Sequence, residues 1–460
     1  MGKISNILNT DSYKSSHFLQ RPANIQRLSA YVESRGGKFP YTVFAGPQGF
    51  CKEYLCNPIT REDIEEAEAL LVPHGVPFNR KGWEYILTVH GGYLPLFIEA
   101  VPEGTIVPTR NVLLQATVSD INCAWLTTYV ETPLLRSVWY PTTVATYSHA
   151  CKQVIKHYME KTAGHTDELN FKLLNFGARG VSSEESAAIG DFAHAINFQG
   201  SDCVSGILYV RRNYNEALST YNIPAAEHST ITAWGVDGEV DAYRNMIKQF
   251  SRPGSVYAVV SDSYDLWNAI DNIWGGVLKD EVINSGGRLV VRPDSGDPVF
   301  VAPETIRRLM AKFGFTTNEK GYRVLPPFLR VVQGDGVTLE SITEILDVME
   351  KDKLSAENIA FGMGGQLLQS HSRDDQRFAM KASAIMTESG WKDIYKDPKT
   401  DPGKASKRGQ LALVERNGVI QTIRASDRKP GEANLLRPIF YNGKLLIDDT
   451  LSNIRQRAGF

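Results

Sequence analysis

Arg292 and Asp294, two residues apart in Arg-Pro-Asp-Ser-Gly-Asp, follow an apolar run at 289–291. If that run is a strand, side chains two apart point to the same side. A guanidinium fork matches phosphate or pyrophosphate oxygens, and a carboxylate beside it accepts hydrogen bonds from sugar hydroxyls. A salt-bridged turn uses the same residues, so the pair alone leaves both readings open. Gly334-Asp-Gly, after the run 329–332, offers backbone N–H groups to an anion and Asp335 to a hydroxyl or Mg²⁺, although a plain turn is the simpler account. Gly-Met-Gly-Gly at 362–365 precedes Leu367 and Leu368. It has the form of a phosphate-binding turn at a helix N-terminus, and Arg373 follows as a further charge or a solvated surface residue. Phe176 ends another apolar run with Arg179 three residues on. A flat heteroaromatic ring could stack on the first while phosphate meets the second; core packing is the alternative for Phe176. Asp202 precedes a segment read as an apolar strand and suits a ligand contact or a turn or N-cap. His228, in Ala-Ala-Glu-His-Ser-Thr, has Glu227 and two hydroxyls beside it. A group titrating near neutrality there is a candidate acid/base or nucleophile toward phosphorus, or else a structural histidine. No Ser-His-Asp order, HExxH or P-loop occurs.

The elements that must position these residues follow from hydrophobic pattern. Five short apolar runs (173–176, 256–260, 289–291, 329–332, 359–361) each stop on a cluster of Gly, Asp, Arg, Gln or Ser. Continuous apolar runs are strands buried on both faces, and helical patterns at 184–196, 264–273, 303–313 and 339–350 lie between most of them. In a βα array all strand C-termini point one way, so the clusters gather on the rim where α/β barrels keep their chemistry. Glycines, acids and arginines together on that rim suggest a phosphorylated sugar.

Around this array the pattern differs. Residues 30–33, 42–44, 92–101 and 113–117 read as strands, and 62–71, 121–138 and 142–161 as helices. Residues 396–408 read as a loop, followed by two hairpins turning at Asn417-Gly418 and Asn442-Gly443. The predicted fold class is α/β, a βα barrel with a β-rich domain built from both chain ends. Its segments are 1–150 (α+β), 151–390 (barrel) and 391–460 (β-rich, completing the N-terminal sheet).

Bulk composition excludes other classes. The 460 residues carry a net charge of −2, which offers no field for nucleic acid or an anionic membrane. Any anion must therefore be held by a local cluster. Five cysteines, none in a CxxC pair, form no disulfide or zinc framework. Nowhere do 18 apolar residues run together, and Met-Gly-Lys-Ile-Ser at the start has no apolar signal region. A cytoplasmic enzyme is expected.

Asp11-Ser-Tyr-Lys, Phe176-Gly-Ala-Arg-Gly-Val-Ser-Ser, Ala225-Ala-Glu-His-Ser-Thr-Ile-Thr-Ala-Trp-Gly, Val260-Ser-Asp-Ser-Tyr-Asp, Arg292-Pro-Asp-Ser-Gly, Gln333-Gly-Asp-Gly-Val and Ile359-Ala-Phe-Gly-Met-Gly-Gly resemble the motifs of the nicotinamide phosphoribosyltransferases, in that family's order. The resemblance runs over essentially the whole chain. It implies an irregular βα barrel of the type II phosphoribosyltransferase kind and a homodimer with shared active sites. The implied reaction joins nicotinamide to 5-phosphoribosyl 1-pyrophosphate with Mg²⁺, giving nicotinamide mononucleotide and pyrophosphate in NAD salvage. Phe176 is then similar to the residue stacking on one face of nicotinamide, with Tyr13 of the partner subunit on the other, and Asp202 to the acceptor of the carboxamide NH₂. Arg179, Arg292 and Arg373 resemble phosphate and pyrophosphate ligands, and Asp294 a ribose ligand. Gly334, Asp335 and Gly365 resemble the phosphoribosyl cradle, and Arg35, Lys381 and Lys396 the basic residues lining the pyrophosphate side. His228 matches the histidine phosphorylated by ATP, which makes His228, Arg292 and Asp294 the catalytic candidates; no metal ligands are assigned. The chain departs from relatives at Ala178, Gln366 and Ala379. A nicotinate or quinolinate phosphoribosyltransferase and a non-catalytic binding protein on the same fold are the alternatives.

Overall fold

Runs such as Val256–Val260 and Ile359–Met363 carry no polar face to give to water, so they must lie inside a sheet covered on both sides. In the computed structural model, which describes residues 4–460, they belong to a six-stranded, wholly parallel sheet. Its order is Gly200–Ser201, Leu173–Asn175, Ile359–Met363, Leu329–Gln333, Arg288–Arg292, Val256–Val260. All five runs singled out by hydrophobicity are strands of this one sheet.

The two edge strands are joined by an irregular segment. Gly200 bridges to Tyr221, and Ala225 bridges to Ala258. Ala258 donates its N–H to the Pro224 carbonyl at 2.9 Å, and Ala226 donates to the Ala258 carbonyl at 2.9 Å. Pro224 has no N–H to give a ladder, which is why this stretch closes the curled sheet without being a regular strand. The barrel is thus irregular, as the family resemblance implies. Its interior is lined by small residues: Ala258, Val290 and Val332 form a cluster with Leu174, Ile223, Val256 and Ala360 packed against it.

The chain divides into two compact units. The barrel unit comprises Tyr147–Leu208 and Ala217–Ser370; the other comprises Met1–Thr146, Tyr209–Glu216 and His371–Phe460. The second unit holds a seven-stranded antiparallel sheet ordered Gly390–Asp393, Phe378–Thr387, Arg27–Ser34, Val112–Val118, Leu96–Ala100, Arg437–Tyr441, Lys444–Leu445. Both chain ends therefore build one β-rich domain. The strand Phe378–Thr387 falls within the stretch that sequence assigned to the barrel, yet it pairs with Arg27–Ser34 along eight positions. Beneath the sheet, Trp83, Trp125 and Tyr129 pack edge to face with centroids 4.8–5.6 Å apart. Both expected hairpins form: Asn417 and Gly418, and Asn442 and Gly443, all take positive φ, as a two-residue primed turn demands.

One helix differs from expectation. Instead of two helices broken near Pro141, Glu131–Thr162 runs through it. Pro141 leaves the Ser137 carbonyl without its helical donor. The backbone of Gly46 lies against that carbonyl, where an added Cβ would sit 2.1 Å from the oxygen. The hydroxyl of Thr142 donates to the Ala45 carbonyl at 3.1 Å, so a neighbouring segment supports the broken turn. Likewise Pro303 does not begin its helix; Asp297 caps Pro298–Phe313 one turn earlier. Among the described residues no helix is long and apolar enough to cross a membrane.

Candidate active site

The C-terminal ends of the parallel strands bring nine of the candidate residues into the barrel unit: Phe176, Arg179, Asp202, His228, Arg292, Asp294, Gly334, Asp335 and Gly365. Two cavities meet there. The first, about 300 Å³, runs down the barrel between walls of Ala258, Val290 and Val332, with Phe176, Asp202 and Arg292 at one end. The second, about 590 Å³, is more open and polar, lined by Arg179, Asp294, Gly334, Asp335 and Gly365 among others. Phe176 and Arg292 line both.

Phe176 is fixed by its backbone N–H, which donates to the Met363 carbonyl at 3.0 Å. Its ring lies over Gly362, where a Cβ would fall 1.9 Å from the ring edge. Only glycine leaves that floor. On the resemblance's assignment of Phe176 to ring stacking, Gly362→Ala is expected to tilt this side chain and raise KM for the ring substrate about tenfold, as overpacking costing about 1–3 kcal/mol would. KM for the sugar substrate should stay within about twofold, which steady-state kinetics with both substrates checks.

Arg292 ends its strand with a largely buried side chain, Nε 3.7 Å from Asp294 Oδ1. That distance is no hydrogen bond, and Nε is buried without an acceptor. Burial pushes the Asp294 carboxyl above its usual range; Arg292 opposes this, while Asp262 and Asp335 add to it. Asp202 keeps solvent access, yet burial also raises its carboxyl, opposed by a hydrogen bond from Asn222 and by Arg292 and Arg179. Its N–H donates to the Asn175 carbonyl at 3.1 Å. Contrary to the expected strand, a helix, Val204–Asn213, follows Asp202. The apolar positions 204, 207, 208 and 210 fit helical spacing once read that way.

His228 begins a one-turn helix, His228–Thr232, capped by Glu227. Its Nε2 lies 2.9 Å from Oδ1 of Asp262, whose side chain is 4% exposed against 47% for the histidine. Asp262 was missed by sequence reasoning, although it stands at a strand end in Val260-Ser-Asp-Ser. Also missed is the charged cluster at the far end of the narrow cavity. Lys172, buried and pushed down to about 8, donates to the Glu357 carbonyl at 2.9 Å and lies 3.4 Å from Glu168. Arg330 pairs with Glu357, and Arg288 with Glu168. An arginine inside the apolar run 329–332 was the available signal.

The remaining candidates, Tyr13, Arg35, Arg373, Lys381 and Lys396, belong to the β-rich unit. Tyr13 is 57% exposed, and Arg373 is exposed beside Asp374. Lys381 faces Tyr31 across the sheet. Burial lowers its ammonium, Glu131 opposes this, and Arg35, Lys396 and Lys14 lower it further. Arg35 keeps a buried Nη2 without an acceptor. Of the departures, Gln366 lines the polar cavity and Ala379 lies opposite Glu33 in the β-rich sheet. Among the described residues no cluster of three His, Cys, Asp or Glu side chains could hold a metal.

Residues 171–444 match the nicotinate phosphoribosyltransferase family, and residues 5–98 match the N-terminal domain of nicotinamide phosphoribosyltransferase. The chain is 48% identical to the nicotinamide phosphoribosyltransferase of Xanthomonas campestris pv. campestris, over 98% of this chain and 97% of that protein. It is 31% identical to the Mycoplasma pneumoniae nicotinamide phosphoribosyltransferase over 89% and 95%. The crystal structure of nicotinate-nucleotide pyrophosphorylase from Pyrococcus furiosus shares the fold at a TM-score of 0.63 and 19% identity, covering 98% of this chain and 93% of that one. Matched from end to end at nearly half its positions, the chain belongs to the nicotinamide phosphoribosyltransferase family.

Proposed function

We propose that this chain transfers the 5-phosphoribosyl group of 5-phosphoribosyl 1-pyrophosphate to nicotinamide, releasing pyrophosphate and supplying nicotinamide mononucleotide for NAD salvage. The observation that carries the reading is the shared boundary of the two cavities. A flat ring in the apolar one, against Phe176, presents its edge to a sugar in the glycine-rich one, with Arg292 at the junction. The ribose C1–oxygen bond breaks and its electron pair leaves with pyrophosphate. The lone pair of the pyridine nitrogen forms the new C1–N bond, and the neutral nitrogen becomes a pyridinium. No proton leaves the nucleophile, so no general base is needed. Catalysis is then positioning plus stabilisation of the departing charge.

Phe176 orients the ring, and Tyr13 of the partner subunit covers its other face in a homodimer. Asp202 accepts the carboxamide N–H. Asp294 takes ribose hydroxyls, and Gly334, Asp335 and Gly365 with Arg179 cradle the phosphoribosyl group. Arg292, Arg373, Arg35, Lys381 and Lys396 meet phosphate and pyrophosphate; the unpaired donors on Arg292 and Arg35 support that role. Asp294 and Asp335, both lining the polar cavity, would help hold a Mg²⁺ ion brought with pyrophosphate, since Mg²⁺ commonly binds through one or two carboxylates plus phosphates. It would neutralise part of the leaving charge. Wild-type protein given nicotinamide, nicotinate and the activated sugar is expected to form nicotinamide mononucleotide and pyrophosphate one to one. Nicotinate mononucleotide as the main product would overturn the assignment.

ATP acts through His228. With Nε2–H donated to Asp262, Nδ1 keeps the lone pair that attacks the γ-phosphorus, ADP leaves, and water later cleaves the phosphohistidine. His228→Ala is expected to lose the ATP-stimulated fraction of turnover while basal transfer persists. An equal response to ATP in variant and wild type would remove His228 from this role.

A further inference from the structure

The strands that carry Phe176 and Asp202 pair at only two positions, Leu174 with Gly200 and Asn175 with Ser201. So short a ladder fixes little by itself, yet the two side chains must bracket a ring to within a fraction of an ångström. Behind them lies Asp191 on the helix Glu184–Ala195, fully buried. Its Oδ1 alone accepts two hydrogen bonds, from Asn175 Nδ2 at 2.8 Å and from Ser201 Oγ at 2.5 Å. These partners immediately precede Phe176 and Asp202.

Each partner passes the connection onward. Asn175 Oδ1 accepts from the Gly177 N–H at 2.8 Å, so Asn175 and Gly177 are tied across Phe176. Ser201 Oγ accepts from the Cys203 N–H at 2.9 Å, which ties the loop across Asp202. The other carboxyl oxygen, Oδ2, is buried with no hydrogen-bond partner. Gly206 packs against it, where a Cβ would lie 2.0 Å away. Around it on the helix are buried Ala187, Ala188, Phe192 and Ala193. Leaving Oδ2 buried and unsatisfied costs stability. Burial also pushes this carboxyl up to about 6. The bonds this carboxylate accepts lead to the two ring-bracketing loops.

We infer that Asp191 is a positioning residue for the base: through Asn175 and Ser201 it sets the separation and orientation of Phe176 and Asp202. The inference rests on the assignment of those two residues to nicotinamide.

The test compares KM for nicotinamide and for 5-phosphoribosyl 1-pyrophosphate in Asp191→Ala, Asp191→Asn and Ser201→Ala, with Phe176→Ala and Asp202→Ala as controls. Asp191→Ala is expected to raise KM for nicotinamide about tenfold or more, in line with the cost of a small misplacement, and to leave the other KM within about twofold. Asp191→Asn keeps an oxygen at the Oδ1 position and should recover most of the loss. Ser201→Ala cuts one arm and should raise the nicotinamide KM several-fold; it decides the matter if Asp191→Ala does not fold. An unchanged nicotinamide KM, or a parallel rise in both KM values, overturns the inference. If the two controls leave the nicotinamide KM unchanged, the assignment of the base pocket has failed, and the role of Asp191 falls with it.

Discussion

Arg292→Ala is expected to lower kcat/KM for nucleotide formation on the order of 10²–10³-fold, the range seen when one pre-aimed donor to a developing anion is removed. The side chain is only 15% exposed and lies 3.7 Å from its nearest carboxylate oxygen, with Nε unbonded. A cation so placed has been taken from water without being fully paired within the protein, so it is available to an anionic ligand. Arg292 borders both cavities, and in the proposed reaction that position would face the charge growing as pyrophosphate departs. Arg292→Lys should recover only part of the rate, since an ammonium restores charge without the planar fork. Steady-state kinetics of the three proteins checks this. A loss below about threefold in Arg292→Ala would place the leaving-group contact elsewhere.

The second large effect is on substrate choice. Asp202 offers an acceptor to an amide N–H and repels a carboxylate, so nicotinamide should be preferred over nicotinate by on the order of 10²-fold. Asn at this position donates as well as accepts, and Asp202→Asn should bring the ratio of kcat/KM values close to unity. Unchanged selectivity would dismiss Asp202 from this role. A pH dependence follows with a definite sign. Burial raises the Asp202 carboxyl above its usual range, with Asn222, Arg292 and Arg179 opposing. As pH falls through that raised value the group gains a proton and becomes a donor. Discrimination against nicotinate should therefore weaken toward acid, and Asp202→Asn should show no such trend.

What sequence reveals here divides by physical cause. Strands such as Val256–Val260 and Ile359–Met363 were legible because burial on both faces forces a continuous apolar run ending abruptly at the rim. The two Asn-Gly turns were legible because few other residues accept consecutive positive φ. The closing segment around Pro224 was not, since proline removes the periodic donor that marks a strand. The helix through Pro141 depends on support from Gly46 and Ala45, which no local pattern displays. At the site, Arg292 and Asp294 stand out as neighbours in sequence. Asp262 meets its partner 34 residues away, and Asp191 meets its partners 16 and 10 residues away, so these contacts emerge from tertiary structure alone.

The β-rich sheet has a consequence for how the protein is made. Arg27–Ser34 is synthesised well before its neighbour Phe378–Thr387, and Leu96–Ala100 awaits Arg437–Tyr441. At roughly 5–20 residues per second, the nascent chain exposes two unpaired strand edges for tens of seconds. During that interval the unpaired edges are open to pairing with other chains. A chain cut short before Phe378 would keep the Arg27–Ser34 edge unpaired and open to aggregation.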